Sequence, residues 1–218
     1  TLTETTKADI VSRLKTFNVA SVTPVIVDPE TTDILLTSNI KYDASATSLT
    51  ADSIRTSIIA TLQNYNSSVL NQFAGVFRYS KVIGEIDDTD NSIVSNITTL
   101  KIRKSFTPVL NTSSQYNIYF RNALYNPHSG HNAAAGGILS STGFKIEGDT
   151  NEMFLNDDGA GNIRRFHYVS GVQTYDNLLQ GTIDYTTGAI VINSLNIESV
   201  SNIRGAAATQ PEITVTPN

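Results

Sequence analysis

The chain has 218 residues, a net charge of −5 and no cysteine. The length suits one large domain or two small ones. The lack of cysteine excludes disulfides, zinc–thiolate sites, iron–sulfur clusters and thiol catalysis. The acidic balance argues against a nucleic-acid partner, because basic side chains supply most of the affinity for a phosphate backbone.

Charged residues make up only 16% of the chain, and polar uncharged residues fill the deficit. This composition is typical of a folded, β-favouring protein, since disordered chains usually carry more charge. No stretch approaches the ~20 consecutive apolar residues of a membrane span. The start lacks the basic and apolar regions of a signal peptide, and the missing initiator methionine predicts a fragment of a longer chain.

The first predicted elements are one helix and two strands. Apolar residues at the helical period predict a helix over residues 1–18. The segment ASVTPVIVDPE, residues 20–30, predicts a strand that ends at its Asp-Pro pair. Strict alternation over residues 31–44 predicts a second strand with one buried face. The short link between the two strands predicts an antiparallel hairpin.

Two further helices and a long strand complete the first half. Thr50 is a good N-cap for a helix within residues 48–68, whose apolar stripe is Ile54, Ile58, Leu62 and Tyr65. A shorter helix is predicted within residues 79–92, with Val82 and Ile86 facing inward, and a strand over residues 92–108. Residues 1–106 are therefore predicted to form an α+β domain, a small sheet covered by helices on one face.

The pattern changes after Pro108, where almost no helix signal remains. Short alternating segments predict a mostly antiparallel β domain over residues 107–218, either sandwich-like or an open sheet. In the segment GTIDYTTGAIVIN, residues 181–193, two alternating runs flank Thr187-Gly188 and predict a hairpin. The predicted fold class is thus α+β, an N-terminal α+β domain followed by a β-rich domain.

An uncharged segment, residues 122–144, contains His128 and His131 and lacks Asp, Glu, Lys and Arg. A His-x-x-His pair can bind a metal, but Pro127 and Gly130 interrupt any helix and no third ligand lies nearby in sequence. The glycines lack the lysine and spacing of a phosphate loop. Two interpretations stay open: a packed excursion across its own domain, or a contact with another chain, since interface centres are depleted of charge. The candidate contact residues are Tyr125, His128, His131 and Ile138.

No catalytic signature is present. The acidic residues around Asp88 and in residues 156–162 lack the glycine and glutamate register of a calcium loop. There is no Gly-x-Ser-x-Gly elbow, and Ser129 between two histidines is not a triad without an orienting carboxylate. We therefore predict no enzyme activity, no catalytic residue, no cofactor, no metal and no small-molecule substrate.

Four pieces between Val22 and Lys104 carry a resemblance: VTPVIVDPE, DILLTSNIKYD, TADSIRTSIIATLQNYN and FRYSKVIGEIDDTDNSIVSNITTLKI. They resemble the J-like domain of contractile-tail phage baseplates, although residues 91–93 read Asn-Ser-Ile where that family often has Gly-Val after its acidic turn. The whole chain is more closely similar to the C-terminal part of the large baseplate wedge proteins of T-even phages.

The resemblance implies a structural virion protein. It would lie in the tail baseplate, assemble in the host cytoplasm, form homodimers and the inner ring around the hub, and bind other wedge subunits. One alternative is a carbohydrate- or receptor-binding module that uses exposed aromatic residues, with Tyr116, Tyr119, Phe166 and Tyr168 as candidates. Another is a hydrolase that uses one of the chain's three histidines, His128, His131 or His167.

Overall fold

The computed structural model describes residues 3–17, 22–26, 30–72 and 75–218. The chain divides into two compact units, Thr1–Asp33 and Ile34–Asn218. The α-helices are α1 Glu4–Lys15, α2 Ala51–Tyr65 and α3 Tyr79–Asp87, with a π-helical turn at Asn66–Leu70 and a 3-10 turn at Ala133–Ala135. The strands are β1 Asp33–Tyr42, β2 Ile93–Ser105, β3 Ser113–Tyr119, β4 Leu139–Ser141, β5 Phe144–Ile146, β6 Phe154–Asp157, β7 Asn162–Val169, β8 Val172–Asp184, β9 Ala189–Val200 and β10 Glu212–Val215.

The first unit confirms one sequence prediction and contradicts another. The predicted N-terminal helix is α1, which the Thr3 side chain caps by accepting a hydrogen bond from the Thr6 amide. The strand predicted over residues 20–30 is wrong for residues 22–26 and 30, which form no strand; its other positions lie outside the described residues. Pro24 offers a physical reason, because proline cannot donate to a strand ladder.

The strands form a single sheet in the order β1-β2-β10-β4-β6-β7-β8-β9-β3, with β5 paired to β9 off this path. The pairings from β2 onward are antiparallel. Strand β1 therefore neighbours β2, which follows it by about 50 residues, and the described residues before β1 include no strand that could be its predicted hairpin partner. The fold is α+β with a large antiparallel sheet, as predicted.

Helices α2 and α3 supply a first core. Ile54, Ile58 and Tyr65 of α2 are buried together with Val82 and Ile86 of α3. Partly buried residues from α2 itself and from the flanking strands and turns pack against them: Leu36, Ile40, Tyr42, Leu62, Leu70, Phe77 and Ile93. The helical spacing in α2 and the alternation in β1 thus place their apolar faces as predicted.

A second core lies among the strands of the β-rich part. Its buried members come from β2, the later strands and the segments between them, and they include Phe144, Met153, Ile190, Ile197 and Ile213, each fully buried. The predicted hairpin is confirmed, since Ile183 pairs with Ile190 across the Thr187-Gly188 turn. The sequence did not predict that β10 would lie between β2 and β4, a pairing that joins the two parts in one sheet. The domain boundary at residues 106 and 107 stays a prediction.

Candidate assembly surface

The uncharged segment is fastened to its own sheet at both ends. Near its start, the Tyr125 amide donates to the Thr216 carbonyl at 3.0 Å, and Leu124 bridges to Pro217. At its far end, residues 139–141 form β4 between β10 and β6. The segment therefore follows a defined path over the β-rich part, which agrees with the packed interpretation of its composition and leaves its outer residues for contacts.

Asp157 holds the middle of this path. Its side chain is fully buried at the end of β6. One carboxylate oxygen accepts the amides of Ile138 and Leu139, both at 2.7 Å. The other accepts the Gly159 amide at 3.1 Å and the Tyr185 hydroxyl at 2.6 Å. These donors compensate the cost of burying a carboxylate. Burial and the bond to Asp157 together raise the pKa of Tyr185, so its hydroxyl stays a donor.

Two glycines allow the uncharged segment to lie this close to Asp157 and to the turn after β6. A Cβ on Gly137, which has a φ of +71°, would lie 2.1 Å from an Asp157 carboxylate oxygen. A Cβ on Gly159 would lie 2.5 Å from the His131 carbonyl oxygen. Only glycine permits such close packing of backbone against carboxylate and backbone. The glycine run that looked like a weak phosphate loop is therefore a packing device.

The histidines of the segment lie side by side. His131 Nδ1 is 3.3 Å from His128 Nε2, and the two rings meet edge to face at 5.0 Å between centroids. The Tyr125 ring packs edge to face on His131 at 5.2 Å. Tyr125 and His128 are exposed, and His131 is half-buried. The structure thus brings three of the four candidate contact residues together at the surface. His167 lies apart from this group, on β7, and pairs with Asp176 at 2.9 Å.

Ile138 is the exception and corrects the sequence interpretation. Its side chain is 9% exposed and belongs to the core of the β-rich part. Its amide is also held by Asp157. A residue in this position cannot offer its side chain to another chain without leaving the core. Tyr125, His128 and His131 stay predicted contact residues, and Ile138 is withdrawn as one.

A second surface was missed by sequence reasoning. An apolar groove of about 420 Å³ runs between β1 and α2. It is lined mainly by Leu36, Ile40 and Tyr42 of β1 and by Ile58, Ile59 and Leu62 of α2. Ile59 is 44% exposed, although its neighbour Ile58 is buried. The signal in the sequence is the Ile-Ile pair, which makes the apolar stripe of α2 one residue wider than its core needs.

A third feature is an aromatic cluster on β6, β7 and β8, made of Phe154, Phe166, Tyr168 and Tyr175. Ring centroids within it lie 5.5–5.9 Å apart. The Arg164 guanidinium covers Tyr175 at 4.5 Å. Of the aromatic residues named from the sequence, Tyr168 and Tyr119 are exposed, whereas Phe166 and Tyr116 are buried.

A cluster of three charged side chains, Glu212, Arg204 and Arg103, holds the loop before β10 in place. Glu212 accepts hydrogen bonds from both terminal nitrogens of Arg204, at 2.8 and 2.9 Å, and one from Arg103 at 3.0 Å. The hydrogen bonds from Arg204 and the charge of Arg103 lower the pKa of Glu212, against the opposing effect of burial. The pair Arg103–Glu212 also spans β2 and β10, which lie side by side in the sheet.

Within the described ranges, no group of three or more His, Cys, Asp or Glu side chains is placed to hold a metal ion. None of the helices in the described part of the chain is both long enough and apolar enough to cross a bilayer.

Residues 34–105 match the family model described as baseplate structural protein gp6, C-terminal domain III. The matched region runs from β1 to the end of β2 and includes α2, α3 and the groove between β1 and α2. Curated proteins gave no match to the chain. The family match confirms the resemblance to the baseplate wedge proteins of T-even phages over these residues, whereas the J-like assignment stays a prediction.

Proposed function

We propose that this chain, whose residues 34–105 are similar to the gp6 C-terminal domain III, is a structural wedge component of a contractile phage tail baseplate. The family match is the observation that carries the proposal. In this role the chain lies in the virion tail, binds copies of itself and other baseplate proteins, and performs no catalysis. Assembly in the reducing host cytoplasm suits a chain without cysteine.

The finer part of the proposal is that copies of the chain build the inner ring around the hub. A closed ring requires each subunit to contact two neighbours, through two surfaces or through two different self-complementary patches. Two surfaces of the chain are candidates for these contacts. One is the β1–α2 groove, and the other is the outer side of the uncharged segment around Tyr125 and His128.

The groove supports a contact because it combines apolar lining with a strand at an edge of the described sheet. Among the described strands, β1 lies at one edge of the sheet. An edge strand presents backbone donors and acceptors to a partner, and the adjacent Leu36, Ile40 and Ile59 offer apolar area beside it. Exposed apolar patches of this kind mark interaction sites. We propose that a second copy of the chain covers this groove.

The uncharged segment supports the second contact. It exposes Tyr125 and His128 on a path fixed by Asp157. Interface centres favour aromatic residues and avoid charge, and a fixed backbone lowers the ordering cost of binding. The segment meets both conditions.

Sedimentation velocity over a range of protein concentrations tests the proposal. We expect the unaltered chain to form dimers and larger species. Ile59→Asp should remove one contact and Tyr125→Asp the other, so each variant should stop at a smaller species and the double variant should be monomeric. Val172→Asp is the matched control, because Val172 is 65% exposed at the β7–β8 hairpin and belongs to neither surface. A monomeric unaltered chain at all concentrations would contradict self-association.

A carbohydrate-binding module is the second candidate function, and the aromatic cluster is the observation that favours it. Tyr168 is 54% exposed and packs against Phe154 and Phe166, and Arg164 covers Tyr175 in the same cluster. Aromatic rings together with polar donors suit a sugar face. A glycan screen of the unaltered chain and of Tyr168→Ala tests it. Binding that Tyr168→Ala abolishes would support the carbohydrate function, and no binding would leave the structural role.

A further inference from the structure

We propose that His128 and His131 form a binding site for a divalent transition-metal ion of the zinc type. Both histidines belong to the uncharged segment that is proposed above as a contact surface, but the metal site does not rest on the assembly role. Its ligand atoms would be His128 Nε2 and His131 Nδ1, with water or a neighbouring oxygen completing the coordination.

The separation of the two nitrogens is the first argument. They lie 3.3 Å apart. Two nitrogen ligands at ~2.05 Å from a tetrahedral zinc ion are about 3.3 Å apart, from the bond length and the tetrahedral angle. The rings therefore already hold their nitrogens at the spacing that one bound ion requires. The ion would replace the hydrogen bond that His131 Nδ1 and His128 Nε2 share, and the proton of His131 would then be carried on Nε2.

The second argument is the orientation of His128. Its Nδ1 lies 3.2 Å from the Ser129 backbone carbonyl, which can only accept a hydrogen bond. This contact places the proton of neutral His128 on Nδ1 and leaves a lone pair on Nε2, the atom that faces His131. Metal-binding histidines commonly show this arrangement, in which the second ring nitrogen donates to a carbonyl that fixes the tautomer.

The third argument is that a polar atom in the same loop is unsatisfied. Asn126 Oδ1 is buried and has no hydrogen-bond partner among the described residues. Asn126 is held in the same loop by its side-chain bond to the Gly159 carbonyl at 3.1 Å. Buried polar atoms are normally paired, so the loop can accommodate a further polar species. Asn126 Oδ1 is the nearest candidate in sequence for an additional ligand.

The backbone of the loop is also held in a defined conformation by hydrogen bonds and turns. The Gly130 amide donates to the Gly159 carbonyl at 2.9 Å, and the His131 amide to the His128 carbonyl at 3.1 Å. Gly130 and Asn132 adopt positive φ values of 76° and 54° on either side of His131. A preorganised backbone reduces the cost of holding both ligands in position.

The chemistry of the pair selects the class of ion. Imidazole nitrogens suit zinc, nickel and copper, whereas calcium and magnesium require several oxygen ligands. The segment contains no carboxylate that would attract these harder ions. We therefore expect zinc to bind and magnesium not to compete.

Isothermal titration of the metal-free, untagged chain with zinc chloride tests the site. We expect one ion per chain, and at least a tenfold loss of affinity in His128→Ala and in His131→Ala. His167→Ala is the matched control, because His167 is the remaining histidine and pairs with Asp176; its affinity should stay within twofold. Circular dichroism checks that each variant is folded. If His131→Ala does not fold, the zinc affinity of His128→Ala decides the test, because His128 is exposed.

Histidine-labelled NMR gives an independent readout, since the chain has only three histidines. Zinc should shift the ring signals of His128 and His131 and leave those of His167 in place. Absence of zinc binding by the unaltered chain, or equal binding by His128→Ala, would overturn the proposal and identify the ring contact as packing only.

Discussion

The Tyr185 hydroxyl donates a hydrogen bond to the Asp157 carboxylate at 2.6 Å. Asp157 belongs to β6, whereas Tyr185 follows β8 immediately before the β8–β9 turn. The same carboxylate accepts the amides of Ile138 and Leu139. One buried side chain thus connects the uncharged segment, the end of β6 and the main hairpin of the β-rich part, and much of that segment's position depends on it.

Replacing Asp157 by Ala should therefore destabilise the chain strongly. The amides of Ile138, Leu139 and Gly159 would lose their acceptor. Because each buried unsatisfied donor costs ~1–3 kcal/mol, we expect a loss on the order of 4 kcal/mol in the free energy of unfolding. Denaturant unfolding measures it. Hydrogen exchange should also show lost protection at Ile138 and Leu139.

Tyr185→Phe is the matched control for Asp157→Ala. It removes a single donor and leaves the three amide bonds to Asp157 in place. We expect a loss of about 1.5–3 kcal/mol, the range for one hydrogen bond to a charged group, with protection at Ile138 retained. Equal losses in both variants would contradict the central position given to Asp157.

The glycine at position 137 should be far less replaceable than the one at position 130, although both have positive φ. A Cβ at Gly137 would meet the Asp157 carboxylate at 2.1 Å, whereas one at Gly130 meets nothing within 4 Å. Gly130→Ala should cost only the conformational strain, ~1–2 kcal/mol. Gly137→Ala adds displacement of a buried carboxylate, so we expect about 3 kcal/mol or more. Thermal unfolding of both variants measures the difference, and similar melting temperatures would contradict it.

The sequence predicted local elements well and long-range contacts poorly, for physical reasons. Alternation and turn chemistry identified β1 and the β8–β9 hairpin because both signals are local. The place of β10 between β2 and β4 depends on partners far away in sequence, which no local pattern specifies. Proline within residues 20–30 was outweighed by its apolar neighbours in the prediction, and the strand did not form at the described positions.

The same distinction applies to the candidate site. The lack of charge in residues 122–144 drew attention to the segment, and three of its four named residues do lie at the surface. The role of Asp157 was hidden because it stands in a turn motif beside Asp158. Asp158 accepts the turn amides of Ala160 and Asn162, while Asp157 turns inward. Consecutive strand residues point to opposite faces, and sequence alone does not say which of the two is buried.

The burial of Ile138 determines the effect of a charge at this position. Ile138→Asp would place an unpaired carboxylate in the core, and such burial is among the few changes that cost more than ~4 kcal/mol. We expect this variant to lose cooperative unfolding. Tyr125→Asp, at a side chain 42% exposed, should stay within ~1 kcal/mol of the unaltered chain. Near-UV circular dichroism during thermal unfolding separates the two, and a stable Ile138→Asp variant would contradict the burial.

Glu212 should make stability depend on pH in the acid range. Its pKa is lowered in the folded state, chiefly by the Arg204 hydrogen bonds, from an ordinary value of 4.5. The folded state therefore binds this proton less readily than the unfolded state. The stabilisation is fully present above pH ~4.5 and is lost as the pH falls through the lower folded value.

Glu212→Gln removes this stabilisation. At pH 7 we expect a loss of about 1–3 kcal/mol, since the Glu212 side chain is 14% exposed and its bonds join charged groups. The difference from the unaltered chain should shrink as the pH falls below ~4.5, because protonation then weakens the same contacts in the unaltered chain. Glu198→Gln is the matched control: Glu198 is exposed on β9, and the same charge change there should have little effect at any pH. Urea unfolding at a series of pH values makes the comparison, and a Glu212→Gln loss that stays constant down to pH 3 would show that the carboxylate's charge is not its source.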